Sequence, residues 1–468
     1  MLLVYTMQGM EITMEFCGKR ILVIGAGLSG IAAAKLLDNI AQVVLYDANE
    51  KLNTMDILAE IKQSQKAFLG RVAVGKLPKD MEDGCDFVVL SPGVPADLPL
   101  VNRLREKGAV VLGEVELAYQ FSKGKIVAVT GTNGKTTTTA LTGEIMRTYY
   151  SDVSVVGNIG IPYTNIVQKL TEGSVTVAEV SSFQIETTID FHPQVSAILN
   201  ITPDHLDRHH TMENYIKAKL DITKNQTEKD TCILNYEDIT LQEASKRISA
   251  KIIWFSSERK LSDGLYLDGD KIIFADHGVC ETVCNIHELN IIGRHNYENV
   301  MAAVAAGLAM KIPMESIRKA LKSFVAVEHR IEYVAEKRGV KYYNDSKGTN
   351  PDAAIKAIRA MTTKTLLIAG GYDKGSEYED WIDAFEGKVR YLVLMGQTRE
   401  KIAVTAKKKG FHNIVMADSM EEAVEFCAEH AHPGETVLLS PCCASWGMFQ
   451  NYEERGRIFK ELVRGLLD

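Results

Sequence analysis

Residues 126 to 138 read Ile-Val-Ala-Val-Thr-Gly-Thr-Asn-Gly-Lys-Thr-Thr-Thr, and this stretch decides the fold of the chain. An apolar, β-branched run stops at a loop bracketed by two glycines, after which Lys135 and Thr136 open a helix. This order predicts a strand, loop and helix that hold a phosphate group, because backbone N–H groups and the helix N-terminus face the anion. In such a site Lys135 adds a positive charge and the hydroxyl of Thr136 can bind Mg²⁺.

The spacing of the loop differs from that of the standard P-loop, which would need a glycine at the position of Val129. The chain has instead the shorter form Gly-Thr-Asn-Gly-Lys-Thr. An ordinary glycine-rich turn before a helix is the alternative interpretation. It leaves unexplained why Lys and Thr follow directly after the second glycine, so we favour a phosphate-binding loop.

Length and composition favour a globular protein of about three domains. The 468 residues are 46% hydrophobic and 24% charged, and a net charge of −8 gives no support for nonspecific nucleic-acid binding. The eight cysteines show no common zinc or thioredoxin spacing, which favours reduced thiols in a cytosolic protein. No apolar run approaches the roughly 18 residues of a membrane span. The segment from Met1 to Phe16 lacks the basic start of a signal peptide.

A second glycine motif lies near the start of the chain. The buried-strand pattern of residues 20 to 24 leads into Gly-Ala-Gly-Leu-Ser-Gly at residues 25 to 30, and Asp47 follows the next strand. This pattern resembles the G-x-G-x-x-G turn of a βαβ unit, in which an acidic residue further on suits a ribose hydroxyl. The motif alone indicates NAD or another nucleotide diphosphate, and a plain tight turn stays open as an alternative.

Strands alternate with helices after the polar linker at residues 122 to 125, which predicts a mainly parallel sheet with ligands beyond the strand ends. Polar clusters at such ends begin at Asn158, Glu179 and Asn200. Glu179 ends an apolar strand, and a buried carboxylate needs a cation, so we expect it to bind Mg²⁺ rather than form a structural salt bridge. His205 is a second candidate metal ligand in the same region.

The helix at residues 212 to 223 carries Lys217 and Lys219, and local physics cannot reject a solvated basic face there. Asn296 lies at the polar start of an Ala-rich helix and either caps that helix or touches a base. A further βαβ array follows from about residue 328. It lacks a nucleotide fingerprint, so we expect a substrate domain there rather than a second ATP site.

Four motifs together resemble those of the Mur ligase family, over nearly the whole chain from Gly25 to Arg455. They are the loop from Gly131 to Thr136, the Glu-Val-Ser-Ser-Phe-Gln run from Glu179, the Asp-Ser-Lys-Gly-Thr-Asn run from Asp345, and the stretch from Leu439 to Ser445. The last three look specific to the branch that adds D-glutamate. The resemblance implies an α/β fold of three domains. These are a Rossmann-like N-terminal domain at residues 1–122, a central P-loop-type ATPase domain with a mainly parallel sheet at 123–327, and a Rossmann-like C-terminal domain at 328–468.

The resemblance also implies roles for individual residues, which spacing alone leaves open. ATP would be held by Gly131, Thr132, Asn133, Gly134, Lys135, Thr136, Thr137, Asn296, Asn299, Arg330 and Asp345. Two Mg²⁺ ions would be held by Thr136, Glu179, His205 and Lys219, the last as a carbamate formed from its neutral amine and CO₂. The UDP-substrate would contact Gly27, Leu28, Ser29, Asp47, Gly93, Asn158 and Ser181, and D-glutamate would contact Thr349, Lys374, Ser445 and Tyr452. The implied catalytic residues are Lys135, His205, Lys219 and Lys347.

The implied reaction is ATP-dependent amide-bond formation in peptidoglycan precursor synthesis. The carboxylate of UDP-N-acetylmuramoyl-L-alanine would take the γ-phosphate to give an acyl phosphate, from which the amine of D-glutamate would displace phosphate. We expect a monomer in the bacterial cytoplasm, with no membrane span and no nucleic-acid partner.

Other ligases are alternatives, namely another amino-acid-adding Mur ligase or a folylpolyglutamate synthase-like enzyme, whose ATP domain comes near the N-terminus. An NAD-dependent dehydrogenase leaves Glu179 and the phosphate loop unexplained. A GTPase switch would need a guanine signature that the chain lacks.

Overall fold

The computed structural model describes residues 16–62, 68–158, 160–325 and 327–467. Most of the segment that we predicted not to be a signal peptide, residues 1–15, lies outside these residues. Within the described ranges, no helix combines the length and the apolar character that crossing a membrane requires. The chain divides into two compact units, one formed by Met1–Val283 with Asn299–Ala320, and the other by Cys284–Glu298 with Leu321–Asp468.

The first sheet has five strands: β1 (Arg20–Ile24), β2 (Gln42–Asp47), β3 (Arg71–Val74), β4 (Phe87–Leu90) and β5 (Val110–Gly113). Its helices are α1 (Leu28–Leu37), α2 (Thr54–Lys62), α3 (Lys79–Gly84), α4 (Pro99–Glu106) and α5 (Glu114–Phe121). The strands are all parallel, in the order β3-β2-β1-β4-β5. The strand order reverses between β1 and β4, which is where open parallel sheets form a ligand crevice. The glycine loop after β1 therefore begins at that point.

The second sheet has nine strands: β6 (Lys125–Thr130), β7 (Val153–Gly157), β8 (Val175–Glu179), β9 (Val195–Ile198), β10 (Thr231–Asn235), β11 (Lys251–Ser256), β12 (Gly264–Asp268), β13 (Lys271–Asp276) and β14 (Val279–Asn285). The helices along this part of the chain are α6 (Lys135–Arg147), α7 (Ser182–Ile185), α8 (Leu206–His209), α9 (Met212–Leu220), α10 (Ile239–Ser245), α11 (Arg294–Ala309) and α12 (Met314–Ser323). The strand order is β14-β13-β12-β11-β10-β9-β6-β8-β7, and the pairs from β7 to β12 are parallel. β12 and β13 form an antiparallel hairpin that turns at Gly269. The phosphate loop thus leaves a strand in the interior of the sheet, between β9 and β8.

The third sheet has six strands: β15 (Glu332–Lys337), β16 (Val340–Asn344), β17 (Thr365–Ala369), β18 (Val389–Leu394), β19 (Ile414–Met416) and β20 (Thr436–Leu439). Its helices are α13 (Pro351–Ala360), α14 (Glu379–Asp383), α15 (Arg399–Lys408), α16 (Met420–His430) and α17 (Tyr452–Gly465). In the order β15-β16-β20-β17-β18-β19, only the first pair is antiparallel. The loops that follow β16, β20 and β17 therefore emerge side by side at one edge.

Two buried carboxylates on α5 fasten the first sheet to elements of the second. Glu114 accepts hydrogen bonds from the backbone N–H and the hydroxyl of Thr164, both at 2.7 Å. Glu116 accepts the backbone N–H groups of Ile189 at 2.8 Å and Phe191 at 3.0 Å. Burial raises the pKa of Glu114. The two sheets therefore share buried polar contacts within one compact unit.

The predicted α/β class with mainly parallel sheets is confirmed, and the boundaries at residues 122 and 327 stay predictions. The strands β3, β5, β14 and β15 were not predicted from the sequence. β14 and β15 carry polar side chains within the strand and lack the continuous apolar run that marks a central parallel strand. β3 and β5 do contain apolar runs, but within the strands these are only three residues long, which is too short to tell a strand from other structure by pattern alone.

Candidate active site

The loop between β6 and α6 has the backbone geometry that its glycines predict. Gly131 and Gly134 adopt φ of 147° and 89°, a region that favours glycine. A Cβ at Gly134 would lie 2.3 Å from Oδ1 of Asn299, a buried residue that also accepts a hydrogen bond from the hydroxyl of Thr138. Asn299 is thus brought against the phosphate loop, as the predicted ATP contact requires.

Side chains around the loop fix its shape. The ammonium of Lys135 donates to the carbonyls of Gly131 and Thr132, each at 2.9 Å. Asn200 accepts the N–H of Asn133 at 2.8 Å and donates to the carbonyl of the same residue at 3.1 Å. The predicted ligands Thr136 and Thr137 lie buried in the first turn of α6. The sequence placed Asn200 at a strand end and predicted no function for it. In the structure it binds the backbone of the phosphate loop at Asn133.

Glu179 lies at the end of β8, directly beside the strand that leads into the loop, since its register partner is Val129. Its side chain is 1% exposed. Oε1 accepts a hydrogen bond from the amide of Asn158 at 2.9 Å, whereas Oε2 is buried without a hydrogen-bond partner among the described residues. An unsatisfied buried carboxylate oxygen is costly, and a divalent cation with oxygen ligands is a group that would satisfy it.

Lys219 points from α9 into the same region. It is 2% exposed, and its ammonium donates to the carbonyl of Gly131 at 2.8 Å and lies 4.6 Å from the ring centroid of Tyr215. Burial, with a smaller contribution from the charge of Lys135, lowers the pKa of Lys219 well below its ordinary value. The expectation from local physics of a solvated basic face is wrong for Lys219, although Lys217 on the same helix is 75% exposed.

His205 lies in the loop before α8, with a left-handed φ of 52°. Its half-exposed ring packs edge-on against Phe183 at 4.9 Å between centroids. Phe183 belongs to the segment that follows Glu179, so the structure brings the two predicted metal ligands to neighbouring segments. Ser181 caps α7 through a hydrogen bond that its hydroxyl accepts from the N–H of Gln184 at 3.3 Å.

Five of the seven predicted UDP-substrate contacts lie at the strand ends of the first sheet, while Asn158 and Ser181 follow strands of the second. Leu28 and Ser29 form the first turn of α1, and Leu28 is 67% exposed. The carboxylate of Asp47 accepts the N–H of Ala26 at 2.8 Å, so it orders the glycine loop from within. Gly93 is exposed, and a Cβ there would meet no atom within 4 Å. These residues surround the start of a helix, where backbone N–H groups suit a diphosphate.

In the second compact unit, Asp345 begins the loop after β16. It is 6% exposed, accepts the hydroxyl of Ser440 at 2.7 Å and the N–H of Ile331 at 3.3 Å. Burial raises the pKa of Asp345 to about 7, against smaller opposing effects of Ser440 and Arg330. The Nε atom of Arg330 is itself buried without a partner in the described part of the chain.

The remaining predicted residues of this unit surround the loops after β16, β17 and β20. The ammonium of Lys347 lies 5.2 Å from the ring centroid of Tyr452, and that of Lys374 lies 5.4 Å from the ring centroid of Trp446. Ser445 is buried beside Trp446, and the N–H of Thr349 donates to the carbonyl of Lys347 at 2.9 Å. The amide of Asn296 donates to the carbonyl of Ile292 at 2.8 Å, within its own segment.

Two buried residues that were not predicted from the sequence contact the predicted site residues or the loops that carry them. Tyr215, buried on α9, lies 3.0 Å from the hydroxyl of Thr132 and under Lys219. Its spacing of four from Lys219 was the available signal. Arg455 is 1% exposed and donates to the carbonyls of Ser346 at 2.7 Å and Cys443 at 3.2 Å, which ties two loops. Nothing in the local sequence around Arg455 indicates these partners.

Comparison with protein families gives three consecutive matches. Residues 19–113 match the Mur ligase MurD-like N-terminal domain, residues 129–307 match the Mur ligase middle domain, and residues 329–443 match the Mur ligase glutamate ligase domain. The matches cover the three sheets described above.

Individual relatives agree with these matches. The chain is 62% identical to the UDP-N-acetylmuramoylalanine–D-glutamate ligase of Lachnoclostridium phytofermentans, over 97% of this chain and 100% of that protein. It is 54% identical to the protein of the same name from Lachnospira eligens, with the same coverage. Among solved structures, the UDP-N-acetylmuramate-alanine ligase MurC of Thermotoga maritima shares the fold, with a TM-score of 0.60, 18% identity and coverage of 95% of this chain and 99% of that one. The chain belongs to the Mur ligase family.

Proposed function

We propose that the protein is an ATP-dependent ligase that joins D-glutamate to UDP-N-acetylmuramoyl-L-alanine in peptidoglycan precursor synthesis. The substrate carboxylate attacks the γ-phosphate of ATP, ADP leaves, and an acyl phosphate forms. The amine of D-glutamate then attacks the acyl carbon and phosphate leaves. The names of relatives that are 62% and 54% identical over their full length support this choice of substrates. We propose further that the enzyme acts as a monomer in the bacterial cytoplasm.

The observation that carries the proposal is that a carboxylate, Glu179, and an amine, Lys219, are both buried beside the phosphate loop. The loop supplies donors for phosphate oxygens, while Glu179 brings a buried carboxylate oxygen without a hydrogen-bond partner among the described residues. This arrangement fits Mg²⁺, which proteins bind through one or two carboxylates together with phosphate oxygens and water. In the proposed site Thr136, Glu179 and His205 would hold two Mg²⁺ ions, which would neutralise charge on the phosphates.

The proposed carbamate at Lys219 follows from the surroundings of its amine. The neutral amine attacks CO₂, forms an N–C bond and releases a proton, which leaves a carbamate anion that can bind Mg²⁺. Burial favours the neutral amine, and the hydrogen-bond partner that the structure gives it is the carbonyl of Gly131, not a carboxylate. The modification would convert the buried amine into an anion, whose charge would be opposite to that of Lys135, instead of the like charge of an ammonium.

Binding of the two other substrates is assigned to the remaining loops. The helix start at Gly27, Leu28 and Ser29 would hold the uridine diphosphate, with Asp47 ordering the loop. The loops of the third sheet that carry Thr349, Lys374 and Ser445 would hold D-glutamate, with Tyr452 beside Lys347. We assign Lys135, Asn296, Asn299, Arg330 and Asp345 to ATP, with Asn158 and Ser181 near the UDP-substrate.

An NAD-dependent dehydrogenase is a weaker proposal, because it gives no role to the buried Glu179 and Lys219. Another Mur ligase, or a folylpolyglutamate synthase-like ligase, would share the ATP site and differ in the amino acid or acceptor. Steady-state phosphate release from ATP separates these enzymes. We expect release to require both UDP-N-acetylmuramoyl-L-alanine and D-glutamate, and equal turnover with L-lysine, meso-diaminopimelate or L-alanine would refute the assignment.

A further inference from the structure

The loops after β17 and β20 are held rigidly against each other. The N–H of Tyr372 donates to the carbonyl of Ala444 at 2.9 Å, and a Cβ at Gly371 would lie 2.2 Å from that same carbonyl oxygen. The hydroxyl of Thr398 accepts the N–H of Gly371 at 3.0 Å and lies 3.3 Å from the sulfur of Cys443. Side chains at the tips of the two loops are therefore presented in fixed positions.

Two large aromatic side chains lie exposed at these tips. Tyr372 is 40% exposed and Trp446 is 54% exposed, and their rings meet at 5.4 Å between centroids with an angle of 64°. Trp381, on the neighbouring helix α14, is fully buried instead. An indole that is exposed to this extent does not gain the stabilisation that burial gives a tryptophan. We therefore interpret the exposed rings of Tyr372 and Trp446 as part of a binding surface.

Lys374 is the cation that this aromatic pair faces. Its ammonium lies 5.4 Å from the ring centroid of Trp446, and no carboxylate of the described residues lies within salt-bridge distance of it. The neighbouring Asp373 is engaged by Lys401 at 3.2 Å and by the N–H of Gly375 at 2.8 Å. The ammonium of Lys374 is thus oriented by a ring, and it keeps its hydrogen-bond donors for an anion.

We propose that Trp446, braced by Tyr372, is a positioning residue that presents the ammonium of Lys374 to a carboxylate of the amino-acid substrate. This inference rests on the proposed function, since it takes D-glutamate as the occupant of these loops. The indole face holds the ammonium in place and excludes water from one side of it. Binding of the carboxylate then requires less ordering of a flexible side chain.

Steady-state kinetics of Trp446→Leu and Trp446→Phe test the inference. For Trp446→Leu we expect the KM for D-glutamate to rise about two- to five-fold, which is the size of an exposed cation–π contact. The KM values for ATP and for UDP-N-acetylmuramoyl-L-alanine should stay unchanged, with kcat within about two-fold. Trp446→Phe should retain part of the effect, because phenylalanine keeps a weaker ring face.

Tyr333→Leu is the matched control, because Tyr333 is a 53% exposed residue that also packs on a second tyrosine, Tyr343, in the same compact unit. It should leave all three KM values unchanged. Acrylamide quenching gives a readout that a merely structural role would not move. In the presence of UDP-N-acetylmuramoyl-L-alanine and a non-hydrolysable ATP analogue, D-glutamate should protect the indole fluorescence of the native protein but not that of Trp446→Phe.

Three outcomes would overturn the inference: an unchanged KM for D-glutamate in Trp446→Leu, an equal rise of all three KM values, or protection that persists in Trp446→Phe. Failure of the proposed function looks different. In that case the native protein would release phosphate without any need for D-glutamate, before any variant is considered.

Discussion

Two buried lysines, one in each compact unit, have opposite surroundings. Lys460 on α17 is 7% exposed, and its ammonium contacts the carboxylates of Glu328 and Glu332. Although burial alone lowers the pKa of Lys460, the hydrogen bonds to these two carboxylates raise it above its ordinary value. Lys219 is buried more deeply and donates to the carbonyl of Gly131 instead of to a carboxylate, and burial lowers its pKa.

The difference separates a structural cation from a reactive amine. A lysine that serves the fold is kept charged by carboxylates, which offset the cost of removing it from water. A lysine whose neutral form is needed is buried with a neutral acceptor and close to another cation. The surroundings of Lys219 thus agree with the chemistry that we propose for it.

The largest effect is expected for Lys219→Ala. Loss of the proposed carbamate would remove a ligand that stabilises charge in the transition state, and such losses cost about 10²- to 10³-fold in kcat. Phosphate release with and without added short carboxylates measures it, and partial rescue by the carboxylate is expected. Lys217→Ala, two positions away on the exposed face, should retain full activity. If Lys219→Ala turned over at the native rate, Lys219 would have no part in catalysis and, like Lys460, would serve only the fold.

Glu179→Gln is expected to lower activity about 10- to 100-fold at a fixed Mg²⁺ concentration and to shift the Mg²⁺ requirement upward. Its stability should be equal or higher, because a neutral amide replaces a buried carboxylate with an unsatisfied oxygen. Mg²⁺ titration of turnover provides the measurement. The matched control is Glu114→Gln. Glu114 also has a buried carboxylate oxygen without a partner in the described chain, but its hydrogen bonds go to Thr164 and not to the phosphate loop. A Mg²⁺ shift in the control alone would contradict the assignment of Glu179.

The smallest effects concern stability, where the two lysines should again differ. Lys460→Met leaves two carboxylates without their cation and should lower the free energy of unfolding by about 1–3 kcal/mol, whereas Lys219→Met should leave it unchanged or raise it slightly. Calorimetry at pH 7 tests this difference, and an equal loss for both variants would remove the contrast.

The cost of Lys460→Met should also depend on pH. Hydrogen bonding by Lys460 lowers the pKa of Glu328 below its ordinary value. The stabilisation is therefore present above the unfolded-state pKa of about 4.3 and is lost as the pH falls through the lower folded-state value. The difference between native protein and variant should shrink accordingly below about pH 4.

Much of the fold could be predicted because short stretches of sequence indicate the strands and the loops that follow them. β1 and β6 are short apolar runs followed directly by Gly25 and Gly131, and β8 is one that ends at Glu179, so the sequence marks where each strand stops. The phosphate loop was predictable for the same reason, since its glycines, lysine and threonine are consecutive. The short, half-exposed strands β3, β5 and β15 were missed because their burial is decided by neighbours distant in sequence.

The site could be predicted only in part. Lys217 and Lys219 lie two positions apart on α9 and so face nearly opposite sides, yet composition does not tell which side meets the protein. Only the family resemblance singled out Lys219. The contacts of Tyr215 with Thr132, and of Arg455 with two loops, join residues far apart in the chain, which periodicity does not reveal.

The carboxylates of α5 have a consequence for how the molecule comes apart. Because Glu114 and Glu116 satisfy backbone N–H groups at Thr164 and at residues 189 to 191, the first sheet cannot unfold without leaving orphan donors in the second. We therefore expect the first and second sheets to unfold together, as one cooperative block. If either sheet were moved into another protein without the other, the backbone N–H groups that Glu114 and Glu116 bind, or the two carboxylates themselves, would need new hydrogen-bond partners.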